Sequence, residues 1–196
     1  MHHTATPAEP STCLLVIDVQ QSFVQRPYFD GRDLPAFLAA QNALIATAQA
    51  RGWPIVRVLH EEPGDASEPF APASGLVRPL DGLSGFDAAL TVRKTRHSAL
   101  VGTGLDVWLV AQGIRRLLIS GIRTEQCCET TARHASDLGW QVVFVADATL
   151  TWDIPLPGGG VLPVAAIRER TAAALRHRFA DVCRLHDLQA DAREAA

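Results

Sequence analysis

The feature that most constrains this chain is a repeated alternation. Short apolar runs, each closing on a polar residue or a glycine, trade places with helix-length segments. "STCLLVIDVQ" carries a run ending at Asp18, and "WPIVRVLH" spans Trp53 to His60. "AALTVRK" ends at Lys94, "IRRLLISG" at Gly121 and "WQVVFVAD" at Asp147. Nearly continuous apolar runs of this length are what strands buried on both faces look like. Helical patterns lie between them: Leu34 to Gly52, then "GLDVWLVAQG", "TEQCCETTARHASDLG" and Leu162 to Phe179. Glycine supplies the stop signal after the first of these, and again at Gly139. "ADVCRLHDL" suits a final edge strand. Five or six such alternations predict an α/β three-layer sandwich with a mostly parallel, Rossmann-like central sheet.

Composition narrows the function classes. A chain of 196 residues that is 47% apolar can bury one sizeable core. Residues 12–196 are therefore expected to form a single domain behind a flexible N-terminal tail at 1–11. The opening "MHHTATPAEPST" has no apolar stretch, so no signal peptide is expected, and no run is long enough to cross a membrane. The net charge of −3, without a long run of one sign, argues against a nucleic-acid partner. The cysteines are Cys13, Cys127, Cys128 and Cys183, with no C-x-x-C spacing. That pattern fits reduced thiols and a cytoplasmic location. Neither a G-x-G-x-x-G nor a P-loop pattern occurs. The stretch from Glu61 to Gly85, rich in proline and glycine, reads as a long irregular loop that shapes a binding site. "PLPGGGVLP" reads as a turn before the last helix. Of the 18 basic residues, Lys94 is the only lysine, which invites a specific role.

Ligands of open parallel sheets sit outside the carboxyl ends of the strands. Three chemically capable residue types collect there: Asp18 after the first strand, Lys94 after the third, and a cysteine pair after "LLISG". With Thr124 as helix cap and Glu125 in the first turn, the helical period sorts that pair. Cys128, Ala132, Ala135 and Leu138 form an apolar stripe toward the sheet. Cys127, Thr131 and His134 share a more polar one. Cys127 is thus the expected exposed thiol at the helix mouth, and Cys128 the core thiol. A helix N-terminus and a nearby ammonium both favour a thiolate. Asp18 is suited to shuttle the thiol proton, and early helix N–H groups to bind a tetrahedral oxyanion.

At these residues the chain resembles the isochorismatase-like cysteine hydrolases, the superfamily that includes nicotinamidase and N-carbamoylsarcosine amidase. "LLVIDVQQSF" is similar to the family's first strand with its catalytic aspartate, "VRKTRHSAL" to the segment with its lysine, and "GIRTEQCCETTARHASDLG" to its nucleophile motif. The resemblance implies Asp18, Lys94 and Cys127 as the catalytic triad. It implies a cis peptide between Ile122 and Arg123, and an oxyanion hole from the backbone N–H groups of Arg123 and Cys127. It implies a small-molecule substrate and a homo-oligomer. "HEEPGDASEPF" lacks the histidine pair of the nicotinamidase metal site, so neither metal nor cofactor is expected. The cysteine points to C–N bond hydrolysis of an amide or ureido substrate. The alternatives are a vinyl-ether or ester hydrolase of the same fold, and a non-catalytic thiol or redox protein. Gln20, Phe23, His60, His97 and Trp152 are expected around the pocket. Ser98 and the Arg123 side chain are further candidates for substrate contact.

Overall fold

A computed structural model describes residues 11–188. Of the expected tail at 1–11, all but Ser11 lies outside the described residues, as do the last eight positions. The first strand, β1, spans Thr12–Ile17, and is followed by α1 at Leu34–Ala50 and β2 at Ile55–His60. Then come β3 (Leu90–Lys94), α2 (Leu105–Ala111) and β4 (Arg116–Ile122). A π-turn over Thr124–Cys128 leads into α3 (Glu129–Asp137) and β5 (Gln141–Leu150). The chain closes with a short hairpin of β6 (Ile154–Pro155) and β7 (Val161–Leu162), then α4 (Val164–Leu175) and β8 (Asp181–Cys183).

Six strands form one sheet in the order β3-β2-β1-β4-β5-β8, and every pairing within it is parallel. Both faces are covered, as unbroken apolar strands require. On one side Cys13, Leu15 and Ile17 of β1 pack with Leu105 and Leu109 of α2 and with Ala132 and Ala135 of α3. On the other, Leu14 and Val16 meet Phe37, Leu44, Ile45 and Ala48 of α1, and Phe70 and Leu80 from the long loop extend that layer. The result is the expected three-layer, Rossmann-like sandwich. Among the described residues no helix is long and apolar enough to cross a membrane.

The chain leaves β1 toward β2 on one side and returns through β4 on the other. The loops after β1 and β4 therefore diverge at a topological switch point, where a crevice opens. One glycine makes this contact between β1 and β4 close enough. Gly121 has φ 129°, and a Cβ built there would lie 1.9 Å from the Ile17 carbonyl oxygen. No side chain fits at that point.

Local expectations are corrected in four places. β5 runs on to Leu150 past Asp147, with a register irregularity against β4 between Ile119 and Gly121. The last helix stops at Leu175, short of Phe179, and His177 then takes a left-handed φ of 60° that turns the chain toward β8. Leu138 is exposed because α3 ends at Asp137 and leaves it as the C-cap. Thr124 does not cap the helix: its hydroxyl donates to Thr149 Oγ1 at 2.9 Å, and Arg123 holds the N-cap position.

Candidate active site

Asp18 follows β1 in a left-handed conformation, φ 52°, which swings its side chain out of the strand pleat. Cys127 lies in the π-turn after β4, the strand beside β1. Single π-turns recur at functional sites, because the widened turn re-aims one side chain. Lys94 ends β3, at the edge of the sheet two strands from β1, and its long side chain crosses that gap. Its ammonium lies 2.7 Å from Asp18 Oδ2 and donates to Cys127 Sγ at 3.3 Å. The structure thus brings together all three residues that the sequence singled out. Both members of the ion pair have fully buried side chains.

The burial of Cys127 corrects one expectation. Its relative exposure is 6%, against 0% for Cys128, so it is the more accessible of the pair but not an exposed thiol. Nor is a resting thiolate supported. Burial first, and then the charge of Asp18, push the Cys127 thiol up to about 12, and the opposing pull of Lys94 does not cancel them. Cys128, wholly buried, is pushed well up by the same desolvation. For Lys94 burial works against the charged form, but Asp18 and Cys127 outweigh it and hold the ammonium above its ordinary value. The resting site is a neutral thiol beside a carboxylate–ammonium pair. Asp18 Oδ2 carries the Lys94 ammonium, and a carboxylate has further lone pairs with which to accept a proton.

The Ile122–Arg123 peptide bond is cis, at the point where the sequence places it. The Arg123 side chain has an acid and an aromatic ring as neighbours. It pairs with Glu125 at 2.9 Å and lies over the Trp152 ring, 4.5 Å from its centroid.

The other predicted pocket residues divide. His60 Nδ1 is 3.2 Å from the Lys94 ammonium, and His97 Nδ1 is 3.8 Å from Cys127 Sγ on its exposed side. Both belong to the site. Phe23 and Trp152 are buried in an aromatic group with Phe70, Tyr28 and Phe29, with the Phe23 and Phe70 rings edge-on at 4.9 Å. Through Phe70, whose ring stands edge-on to His60 at 5.7 Å, this group adjoins the site. Gln20 is buried against His60: its amide accepts from the His60 backbone N–H at 2.8 Å and donates to the His60 carbonyl at 2.9 Å. It also donates to Ser22, so its hydrogen bonds are spent on the fold. Ser98 is likewise engaged with His134 and the Leu100 N–H. Sequence reasoning missed Glu62, 3.3 Å from His60 Nε2, and Arg26, which faces Glu62 and Glu68. No short-range pattern marks either one.

Among the described residues no group of three or more histidines, cysteines or acids is arranged to hold a metal ion. A surface cavity of about 800 Å³ lies elsewhere, between α1, α4 and β8, lined by residues such as Phe37, Arg168 and Cys183. Neither the triad nor His60 and His97 lines it.

A parallel sheet with a cysteine, a lysine and an aspartate at its switch point defines a class of cysteine-centred α/β proteins. Comparison with known proteins places the chain within it. The isochorismatase domain family matches residues 12–187, and the chain belongs to that family of isochorismatase-like cysteine hydrolases. Streptothricin hydrolase from Streptomyces noursei is 33% identical over 171 residues, covering 86% of this chain and 66% of that protein. The chain spans 50% of a second streptothricin hydrolase from the same organism. Nicotinamidase 3 from Arabidopsis thaliana is 40% identical over 62 residues, 32% of this chain and 31% of that one. Among solved structures, an isochorismatase from Pseudomonas putida KT2440 superposes with a TM-score of 0.78 at 26% identity, over 90% of this chain and 89% of that one.

Proposed function

We propose that this chain is a cysteine hydrolase that cleaves a C–N bond of a small amide or ureido substrate. Cys127 is the nucleophile, Asp18 the proton shuttle and Lys94 the charge that holds both. The observation that carries the reading is one buried ammonium in contact with Asp18 and Cys127 together. The names of two relatives, a hydrolase and a nicotinamidase, support the same class of chemistry.

The steps follow from the neutral resting thiol. As sulfur attacks the substrate carbonyl carbon, its proton passes to the Asp18 carboxylate. The carbonyl oxygen becomes an anion and takes hydrogen bonds from the backbone N–H groups assigned to Arg123 and Cys127. Asp18 then gives its proton to the leaving nitrogen, the C–N bond breaks, and a thioester remains on Cys127. Water attacks the thioester while Asp18 takes a proton from it, and the thiol leaves reprotonated. Lys94 compensates negative charge on sulfur and carboxylate throughout. No step requires a metal.

The test is a screen of amides and ureides that follows ammonia or amine release, with Cys127→Ala as control. The expected outcome is turnover that falls by about 10³-fold or more in that variant, with a Cys127-linked acyl adduct trapped by acid quench and seen by mass spectrometry. Turnover retained by Cys127→Ala would refute the proposal. An adduct formed from esters but never from amides would reassign the bond. The proposed homo-oligomer is tested by light scattering. Exposed Val107, Val110 and Val161 are among the apolar residues available for it.

A further inference from the structure

We infer that His60 is a positioning residue of this site, whose neutral ring accepts a hydrogen bond from Lys94 and holds the ammonium between Asp18 and Cys127. The inference deepens the hydrolase reading and rests on it for its catalytic consequence. It begins with register. His60 and Lys94 are the last residues of adjacent parallel strands and are directly paired, so their side chains leave the same face of the sheet side by side.

The proton count then fixes the chemistry. A lysine ammonium has three donors and no acceptor. Here it has three neighbours: Asp18 Oδ2 at 2.7 Å, Cys127 Sγ at 3.3 Å and His60 Nδ1 at 3.2 Å. An ammonium can share only a lone pair with Nδ1, so the ring proton must sit on Nε2. Nε2 faces Glu62 Oε1 at 3.3 Å, an acceptor. The two neighbours therefore select one tautomer between them. Gln20 holds the strand end in place through both His60 backbone groups, and the Phe70 ring stands edge-on at 5.7 Å.

The charges around the ring decide when this arrangement fails. Lys94 faces it from β3, Asp18 from the turn after β1 and Glu62 from its own loop. Cys127 lies beyond Lys94, and Arg26 beyond Glu62 at 3.7 Å. Burial first, and then Lys94, hold the His60 ring below the ordinary histidine range, so it is neutral at pH 7. Once the pH falls far enough to protonate it, Nδ1 becomes a donor facing a donor. The ammonium loses its third partner and the Asp18–Cys127 geometry loosens. Hydrolysis gains an acid limb that belongs to His60 and lies below the usual histidine pKa.

Nitrogen-15 NMR of the histidine rings in the whole protein tests this directly. The expected signature is an Nε2–H, Nδ1-unprotonated His60 ring in wild type that titrates below free histidine and moves upward in Lys94→Met. In the hydrolysis assay His60→Leu is expected to lower kcat about tenfold or more with KM little changed. His60→Asn, whose side-chain oxygen takes the place of Nδ1, is expected to recover most of that loss and to lack the acid limb. An Nδ1–H ring, identical His60 titrations in wild type and Lys94→Met, or an acid limb unchanged in His60→Asn would each overturn the inference. Failure of the hydrolase reading looks different: turnover indifferent to Cys127→Ala, with the ring signature intact.

Discussion

Replacing Asp18 with asparagine should make Cys127 react faster with an alkylating reagent while abolishing hydrolysis. In the folded protein the thiol is pushed up to about 12, by burial and then by Asp18. At pH 7.5 a thiol of that pKa is ionised to only about 3 × 10⁻⁵, roughly a thousandfold less than an ordinary thiol near 9. The more basic sulfur is intrinsically more nucleophilic, and with a Brønsted slope near 0.45 this recovers about twentyfold. Wild-type Cys127 should thus alkylate about fiftyfold more slowly than an unperturbed thiol, before any steric shielding. In Asp18→Asn the carboxylate charge is gone and the ammonium stays 3.3 Å from sulfur. Burial, the largest cause, and the pull of Lys94 act in both proteins, so the variant loses only the Asp18 contribution and its thiol falls by part of the three units. Each unit by which the thiol falls raises the alkylation rate at pH 7.5 about 3.5-fold, so the variant should react several-fold faster, short of the roughly fiftyfold that full relief would give. Iodoacetamide kinetics from pH 6 to 10, read by peptide mass spectrometry at Cys127, provide the assay. Cys128 and Cys13, both wholly buried, serve as internal standards. Lys94→Met should move the rate the other way. An Asp18→Asn protein that folds and alkylates no faster than wild type would refute the electrostatic account, because a merely structural aspartate cannot speed its neighbour.

Two further perturbations test how the fold carries the site. Gly121→Ala sets a methyl group 1.9 Å from the Ile17 carbonyl at a φ of 129°, so β1 and β4 must part where Asp18 and Cys127 arise. The variant should lose more than about 3 kcal/mol in urea unfolding, or fail to fold, and any folded fraction should have lost the ordered pH dependence of Cys127 alkylation. Glu129 is a buried carboxylate that accepts from Arg133, Arg170 and Thr171 and so ties α3 to α4. Glu129→Ala takes the counter-charge from two arginines whose side chains are partly exposed and leaves the buried Thr171 hydroxyl without that acceptor, at a cost of about 3 kcal/mol. A change in the urea midpoint too small to measure would show that these contacts do not hold the helix pair.

What the sequence disclosed, it disclosed through period and position. Buried strands announce themselves as apolar runs, and a helical period of 3.6 separates Cys128, at 0% exposure, from Cys127. The same period misplaced Leu138, because it cannot say where a helix stops. The expected thiolate failed for a different reason. A helix mouth and a lysine can be read locally, but desolvation and the field of Asp18 exist only once the layers have closed over the site. Gly121 left a weak signal, since an isolated glycine in a strand often marks close backbone approach. Gln20 was placed in the right neighbourhood, but its partner was not legible. That partner is the backbone of His60, forty residues on, and strand adjacency is not written in either segment.

The lone lysine draws these strands of reasoning together. Lys94 must reach from β3 past β2 to β1, two steps of about 4.8 Å across the sheet. It must then meet a carboxylate, a sulfur and an imidazole nitrogen that lie in different directions. A flexible stem carrying a compact head with three rotatable donors can do this. A guanidinium, whose donors lie in one plane and whose fork suits paired oxygens, cannot serve three such partners at once. Elsewhere arginine meets the demand for positive charge, at exposed acids such as Asp30 and Asp81 and at the buried Glu129 alike. A chain of 17 arginines keeps its single lysine at the one place where the geometry of donation, and not charge alone, decides whether the site can form.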